Sequence, residues 1–480
     1  MATKEEESEQ IMEIEKPDDF DNSTIQKSKW YHVNKETIPS KIAYYLVGSM
    51  GGAYTPFINP FLVDVGLSPS QAGLITGLRL IGAILGSVLF GMITDYTQKY
   101  QVVLSLVSFC AIGVLVPLPW LPKLVGQQNT TCMNFSMNAT TTEISSCAKM
   151  DGYDTLFIAF LCAYLVFAFF DGYILPYADM VAMSQVTNSK KKINIGMQRV
   201  FIPIGFGIAT LIASGLFKSV PKDMNISKYS VQHFLYPPLV ICLVIISYPL
   251  LKRARPKRKE TSGGGNLIKT LRISLLRPIV AFFMITVFIQ GFLVGTQASF
   301  LFVLMKTFFP PDILFGITMI LASVSGLICY PFAIKIVKRL GGPFPTMGMS
   351  LFVNAIRFAA YGYTPSVYLV TALQIFTHGL VISLFNVAKI LKTQEISTEE
   401  NRSTMFGVTN AIYLGVAGIT ANIVGGLTIE HYGVKVLFRC EAVVSLIWSI
   451  LIFIHMLYDR KVSKKRKGEI KTNEEKSILS

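Results

Sequence analysis

The chain has 480 residues, of which 51% are hydrophobic and only 15% are charged, and its formal net charge is +15. Soluble globular proteins carry about 25% charged residues, so this composition excludes an ordinary soluble protein. The basic residues stand beside the ends of long apolar runs, where they act as topology signals, and we expect no nucleic-acid partner.

The first segment, 1–39, opens with a cluster of acidic side chains. It lacks the basic-then-apolar order of a signal peptide and the Arg-rich amphipathy of a transit peptide. We therefore predict that it is a disordered tail in the cytosol.

Twelve apolar windows of roughly 20 residues follow, each long enough to cross a bilayer as a helix. Because the number is even, both termini are predicted on one side of the membrane. The windows are 42–64, 70–93, 101–121, 155–180, 196–217, 234–251, 279–304, 313–337, 344–362, 366–390, 404–428 and 435–457.

The gaps after the even-numbered windows are richer in Lys and Arg than the others. The positive-inside rule places these gaps and both termini in the cytosol. The richest is the basic linker 252–277, which separates a six-helix bundle at 40–251 from a second at 278–458. A basic cytosolic tail at 459–480 ends the chain.

The gap 122–154 carries signals of the opposite face. It contains three glycosylation sequons and a cysteine pair, Cys132 and Cys147, and a further sequon lies in the gap before the sixth window. These features are typical of an external loop in a plasma-membrane protein. The sequence leaves open whether the two cysteines form a disulfide or stay free. The sequon asparagines are Asn129, Asn134, Asn138 and Asn225.

The two halves repeat one order of features. Residues 60–91 read as a span end, a short turn with a proline and a Gly-rich helix, and residues 300–331 repeat that order. Parallel halves related by an axis along the membrane normal are typical of transporters.

Residues 91–99 read Gly-Met-Ile-Thr-Asp-Tyr-Thr-Gln-Lys. They resemble the loop motif of the major facilitator superfamily, in which a glycine, an aspartate and a base stand between spans two and three. The resemblance implies a gating role. Gly91 would let helices approach closely, Asp95 would cap and pair charges at the cytosolic face, and Lys99 would supply the base. The second base of the family motif is absent here.

Residues 196–207 resemble the fifth-helix signature of the lactose-permease-like branch, and residues 374–379 and 425–433 fit its tenth and eleventh helices. Over residues 40–460 the chain is most similar to the animal group called major facilitator superfamily domain-containing protein 6. The resemblance implies an all-α integral membrane fold of twelve transmembrane helices in two pseudo-symmetric six-helix bundles. No substrate follows from it.

Charged side chains inside hydrocarbon cost several kcal/mol, so each needs a partner or a function. We predict that seven polar residues line a central cavity for substrate and protons. They are Arg79, Asp171, Arg357, His378, Tyr54, Gln290 and Asn354.

Asp171 is the residue we expect to couple transport to protons, since a carboxylate in a low-dielectric cavity can load and release a proton near neutral pH. The alternative is a fixed ion pair with Arg79. For Asp179 and Arg199, at one depth on consecutive spans, a structural ion pair is favoured.

Arg357 could hold an anionic substrate, or it could form a salt bridge or snorkel. His378 could carry protons, or it could be a core histidine bonded to a carbonyl. Lys389 is predicted to snorkel to the cytosol.

Pro56 and Pro60 should distort the first span, and Gly291 and Gly295 should interrupt the seventh in the same way. Corresponding interruptions in the two halves point to a binding site.

No phosphate-binding loop, zinc pattern or nucleophile elbow occurs in the sequence, so we expect no cofactor, no metal and no enzymatic activity. The sequence predicts a monomeric secondary transporter of a small solute by alternating access, with proton symport. The alternative is a transporter-like receptor or adaptor that moves nothing. The glycosylated loop and basic ends would then be its working surfaces.

Overall fold

The computed structural model describes residues 38–125, 153–188, 198–224, 226–253, 277–397 and 402–478. Within those ranges the chain forms helices and no strands, so the predicted all-α class is confirmed. Several predicted features lie outside the described residues, and the predictions for them stay untested. They are the N-terminal tail, most of the linker, and the glycosylation and disulfide residues. Those residues are Asn129, Asn134, Asn138, Asn225, Cys132 and Cys147.

We number the spans 1 to 12 after the predicted windows. Those of the first half are Ile38–Tyr54 with Ile58–Asp64 (span 1), Pro69–Thr97 (span 2), Tyr100–Leu115 (span 3), Tyr153–Asp171 with Ile174–Asn188 (span 4), Phe201–Gly215 (span 5) and Val231–Arg253 (span 6).

The second half follows the same numbering. Its spans are Pro278–Lys306 (span 7), Ile313–Arg339 (span 8), Pro343–Tyr363 (span 9), Val367–Leu373 with Gly379–Ile396 (span 10), Arg402–Asn410 with Ala417–Tyr432 (span 11) and Val434–Ile478 (span 12).

Ten helices of the described chain are long and apolar enough to cross a bilayer. The two predicted windows outside this set are helical as well. Span 1 is broken into two shorter helices, and Asn354 and Arg357 lower the mean hydropathy of span 9.

The break in span 1 is where the sequence predicts it. Pro56 lies in a 3₁₀ turn, Thr55–Phe57, that joins the two helices, because a proline inside a helix removes a backbone donor and clashes with the preceding turn.

Span 7 differs from the prediction. Residues 278–306 form one continuous helix, so the expected interruption at Gly291 and Gly295 is wrong. These glycines instead let span 11 approach closely. A Cβ on Gly291 would overlap the carbonyl of Tyr413, and one on Gly295 would crowd the side chain of Ala421.

Irregular backbone occurs in three other spans. Span 4 ends its first helix at Asp171 and restarts at Ile174. Spans 10 and 11 each contain a π-helical segment, Gln374–His378 and Ala411–Val416. Such segments are frequent at functional sites.

Glycines set the contact between the halves. Gly73 of span 2 lies against Asn422 and Gly426 of span 11, and Gly316 of span 8 lies against Leu211 and Ser214 of span 5. Small residues at these crossings allow the helix backbones to approach closely.

We call the face where span 1 begins the terminal face and the face where it ends the distal face. Among the described residues, four pairs of polar side chains or backbone groups join the halves, and each lies toward the distal face. Ion pairs join Asp64 to Lys306 at 3.1 Å and Lys228 to Asp312 at 2.6 Å. Hydrogen bonds join Ser70 to Glu430 and Asn59 to Ser299. The halves are therefore closed at the distal face.

The terminal part of span 2 is open by comparison. Leu85, Val88 and Met92 are exposed. A Cβ on Gly91 would meet no atom within 4 Å. The close helix approach predicted for Gly91 is therefore not made in this structure.

Candidate functional site

Asp171 stands at the break in span 4. It is the last residue of the helix Tyr153–Asp171, and its carboxylate accepts a hydrogen bond of 2.5 Å from the hydroxyl of Tyr236 on span 6. Two spans of the first half thus meet at one ionisable group.

Arg79 of span 2 lies in the same cluster. Its guanidinium carbon is 5.9 Å from the centre of the Tyr54 ring, within range of a cation–π contact. Its Nε is buried without a hydrogen-bond partner in the described chain. The predicted alternative, a fixed ion pair between Arg79 and Asp171, is absent from the described ion pairs, although the two charges are close enough to interact electrostatically.

Sequence reasoning missed the aromatic wall of this cluster. Tyr164 and Phe167 of span 4 pack against the Tyr54 ring with centroids 6.2 and 5.0 Å away. His233 is fully buried, with its Nε2 3.5 Å from the hydroxyl of Tyr164 and its Nδ1 without a partner among the described residues. It escaped notice because it precedes the predicted window 234–251 by one residue.

Arg357 of span 9 is fully buried inside the second half. Its Nη2 donates to the side-chain oxygens of Gln297 and Asn354, each at 2.5 Å. Its Nε and Nη1 have no partner in the described chain. The predicted proximity of Asn354 and Arg357 on one helical face is present.

Glu441 of span 12 is a buried acid that the prediction overlooked. It is 2% exposed, and both carboxylate oxygens lack a hydrogen-bond partner among the described residues. It is near enough to interact with Arg357 and Thr296 but makes no ion pair within the 4.0 Å limit. Glu441 shares a helical face with Ser445 and Ser449, which both donate to carbonyls of span 9. The four-residue spacing of these polar residues is the sequence feature that indicates a buried acid here.

His378 and Gln290 are further polar residues of the second half. His378 lies in the π-helical segment of span 10, and its Nδ1 is buried without a partner in the described chain. Gln290 is fully buried with both amide atoms unpartnered there. Buried polar atoms normally have partners, so unpaired groups mark places for water or a solute.

The predicted cavity residues thus form two separate clusters and do not line one common surface. Arg79, Asp171 and Tyr54 lie together in the first half, whereas Arg357 is enclosed by spans 7, 9 and 12 of the second half. Arg357 is not exposed in this conformation, and its place in a shared central cavity stays a prediction.

A small crevice lies away from both clusters. Its volume is about 130 Å³, and it is lined mainly by apolar side chains of spans 1, 5 and 6 and contains none of the predicted charged residues. We assign it no role in the chemistry.

Near the terminal face, Asp179 and Arg199 form the predicted ion pair. Arg199 Nη2 and Asp179 Oδ2 are 2.5 Å apart, Arg199 Nε donates to the other oxygen at 3.1 Å, and Tyr44 donates to the same carboxylate at 2.7 Å. The arginine is about half exposed.

The predicted gating motif lies beyond this pair. Lys99 is exposed at the turn between spans 2 and 3. The side chain of Asp95 lies outside the described residues, so its predicted capping and pairing stay untested. The described chain contains no group of three or more His, Cys, Asp or Glu that could hold a metal ion.

Comparison with known proteins agrees with this architecture. The model of the MFS_1-like family matches residues 38–440. The chain belongs to that family. It is therefore a multi-pass membrane protein of the major facilitator transporter type.

Two relatives of the MFS_1-like chain match along most of their length. A zebrafish (Danio rerio) protein called major facilitator superfamily domain-containing protein 6-like is 21% identical over 88% of each chain. The uncharacterized transporter YwbF of Bacillus subtilis is 23% identical over 84% of this chain and 89% of its own.

Solved structures show the same fold. The nucleoside transporter NupG superposes with a TM-score of 0.64 at 16% identity, covering 88% of this chain and 99% of its own. The xylose transporter XylE of E. coli, in an inward-open conformation, superposes with a TM-score of 0.58 at 12% identity, covering 87% and 95%.

Proposed function

We propose that this MFS_1-like protein is a secondary active transporter that moves a small polar solute by alternating access, with Asp171 carrying the coupling proton. The observation that carries the proposal is the position of Asp171, a membrane-embedded carboxylate at a helix break, bonded to Tyr236 and not locked in an ion pair. Ionisable groups inside a membrane bundle are functional by default.

The basic gaps after the even-numbered spans support a cytosolic terminal face. We propose the plasma membrane as its location, on the basis of the sequons between residues 122 and 154. The distal face is then external, and the described conformation is closed to the outside by the Asp64–Lys306 and Lys228–Asp312 pairs.

In the mechanism, a proton taken up by Asp171 removes its negative charge while the hydroxyl of Tyr236 keeps the group in place. Arg79 then loses an opposing charge and becomes available to a solute held against the aromatic wall of Tyr54 and Tyr164. The halves rock about this level, as in other transporters built from repeats.

The related structures are of proteins titled as nucleoside and xylose transporters. We therefore choose uridine and xylose as test solutes, together with their anionic counterparts uridine 5′-monophosphate and xylonate. The purified protein is placed in vesicles with an imposed inward proton gradient, and uptake of each labelled solute is measured.

The expected result is gradient-driven accumulation of at least one solute. Asp171→Asn should abolish accumulation while leaving solute exchange partly intact. The control is Asp223→Asn, since Asp223 is exposed in the loop before span 6. Wild-type accumulation by Asp171→Asn would end the coupling role, and no movement of any test solute would favour a receptor or adaptor.

A further inference from the structure

Lys389 does not snorkel to the terminal face as the sequence predicts. It is only 6% exposed and lies seven residues before the end of span 10 at Ile396, which is about 10 Å along the helix. Its charge is therefore held among other side chains inside the protein.

The partners of Lys389 are neutral. Its Nζ donates to the side-chain oxygen of Asn410 at 3.2 Å and lies 3.9 Å from the centre of the Tyr413 ring. The ring of Phe385 stacks on that of Tyr413, with centroids 6.2 Å apart. No carboxylate of the described chain is within 4.0 Å of this ammonium. Amide and ring orient the cation and leave its charge uncompensated.

The next lysine on the helix shows the contrast. Lys392 is also buried, but its Nζ is 2.7 Å from the carboxylate of Glu395. The buried charge of Lys392 is therefore balanced by an acid of the same helix. Lys389 has none among the described residues.

A π-helical segment of span 11 lies beside Lys389. Tyr413 lies in the π-helical segment of span 11, a feature that often re-aims side chains at functional sites. On the neighbouring turn of span 10, Asn386 donates to the hydroxyl of Tyr330 on span 8 at 3.4 Å. Polar groups from spans 8, 10 and 11 therefore converge here.

We infer that Lys389, with Asn410 and the ring of Tyr413 beside it, binds the negatively charged group of the transported solute, a carboxylate or a phosphate. The inference rests on the proposed transport function and names the substrate class. A singly charged anion such as a carboxylate, bound here while Asp171 carries one proton, would cross with no net charge moved against the membrane potential.

Binding of bare anions tests the site without knowledge of the whole substrate. Thermal unfolding of the purified protein is followed while inorganic phosphate, acetate or neutral glycerol is added at constant ionic strength. We compare the wild type with Lys389→Gln, Lys389→Arg and the matched control Lys392→Gln, which removes a buried lysine of the same helix.

We expect saturable stabilisation by phosphate or acetate and none by glycerol. Lys389→Gln should weaken the apparent affinity about tenfold or more, as expected for loss of a charged hydrogen bond. Lys389→Arg and Lys392→Gln should retain it. No saturable effect of either anion on the wild type, or an equal effect on Lys389→Gln, overturns the inference.

Uptake separates this inference from the proposed function. The inference predicts that uridine 5′-monophosphate or xylonate accumulates and that Lys389→Gln loses this activity. Accumulation of the neutral uridine or xylose alone, unchanged in Lys389→Gln, keeps the transporter and rejects the anion site. Anion binding that depends on Lys389, without uptake of any solute, supports the site and rejects transport.

Discussion

The hydroxyl of Tyr236 donates to the carboxylate of Asp171 across 2.5 Å, at the residue where span 4 breaks. A hydrogen bond given to a carboxylate favours its charged form. Tyr236 therefore contributes to the pH at which Asp171 would load its proton.

Removing that donor should move the pH dependence of transport. In Tyr236→Phe we expect half-maximal uptake at a pH higher by about one to two units, since charged hydrogen bonds contribute about 1.5–3 kcal/mol. The measurement is initial uptake against pH in vesicles. Tyr368→Phe, at an exposed tyrosine of span 10, is the control, and identical profiles in both variants would contradict the role of Tyr236.

The distal ion pairs should stabilise the closed distal face. Each is a partly exposed pair, for which about 0.2–1 kcal/mol is typical. Lys306→Ala should therefore shift the population toward distal opening by about twofold. The charge swap Asp64→Lys with Lys306→Asp should restore the population of the closed distal face. Accessibility of a cysteine introduced at Phe302, a buried residue of span 7, to a water-soluble thiol reagent reports the shift. Equal labelling in all variants would show that these ion pairs do not stabilise the closed distal face.

Gly73 should be indispensable for closing the distal face. A Cβ there would overlap the backbone of Asn422 in span 11, and backbone cannot move aside cheaply. Gly73→Val is expected to abolish uptake while the protein still folds, as judged by monodisperse gel filtration. Gly113→Val is the matched control, because a Cβ at Gly113 meets no atom within 4 Å. Full activity of Gly73→Val would refute the close contact.

Arg357 and Glu441 should depend on each other for stability. Arg357 and Glu441 are close enough to interact although they form no ion pair within 4.0 Å. A buried charge that loses a nearby opposite charge is destabilised, so Arg357→Met should lower the unfolding temperature. Arg357→Met with Glu441→Leu should recover most of the loss. Thermal unfolding of the four proteins in one detergent measures this coupling. Additive losses in the double variant would show that the charges are independent.

The sequence predicts the fold well because bilayer thickness imposes one length on every span. It also locates the break at Pro56, since proline acts locally. The interruption expected in span 7 fails because Gly291 and Gly295 are used for packing against span 11, which only the folded structure reveals. The π-helical segments have no comparable local signal.

The candidate site was predicted in part. Intramembrane charge identified Asp171, Arg79 and Arg357, but not which of them share a cluster, because that depends on how helices rotate against one another. From its place near a span end, the sequence predicts that Lys389 reaches the cytosolic surface. The ring of Tyr413, 24 residues further along the chain, contacts its ammonium group inside the protein.

Alternating access itself is tested most directly by distances between the halves. Spin labels are placed in pairs at Lys218 with Tyr363 for the distal face and at Tyr96 with Arg339 for the terminal face, all exposed positions, after replacement of the native cysteines. Pulsed dipolar spectroscopy in nanodiscs then follows both pairs as pH falls and test solutes are added. We predict that the distal distance lengthens as the terminal distance shortens. Distributions that stay unchanged at both faces in every condition would contradict a carrier.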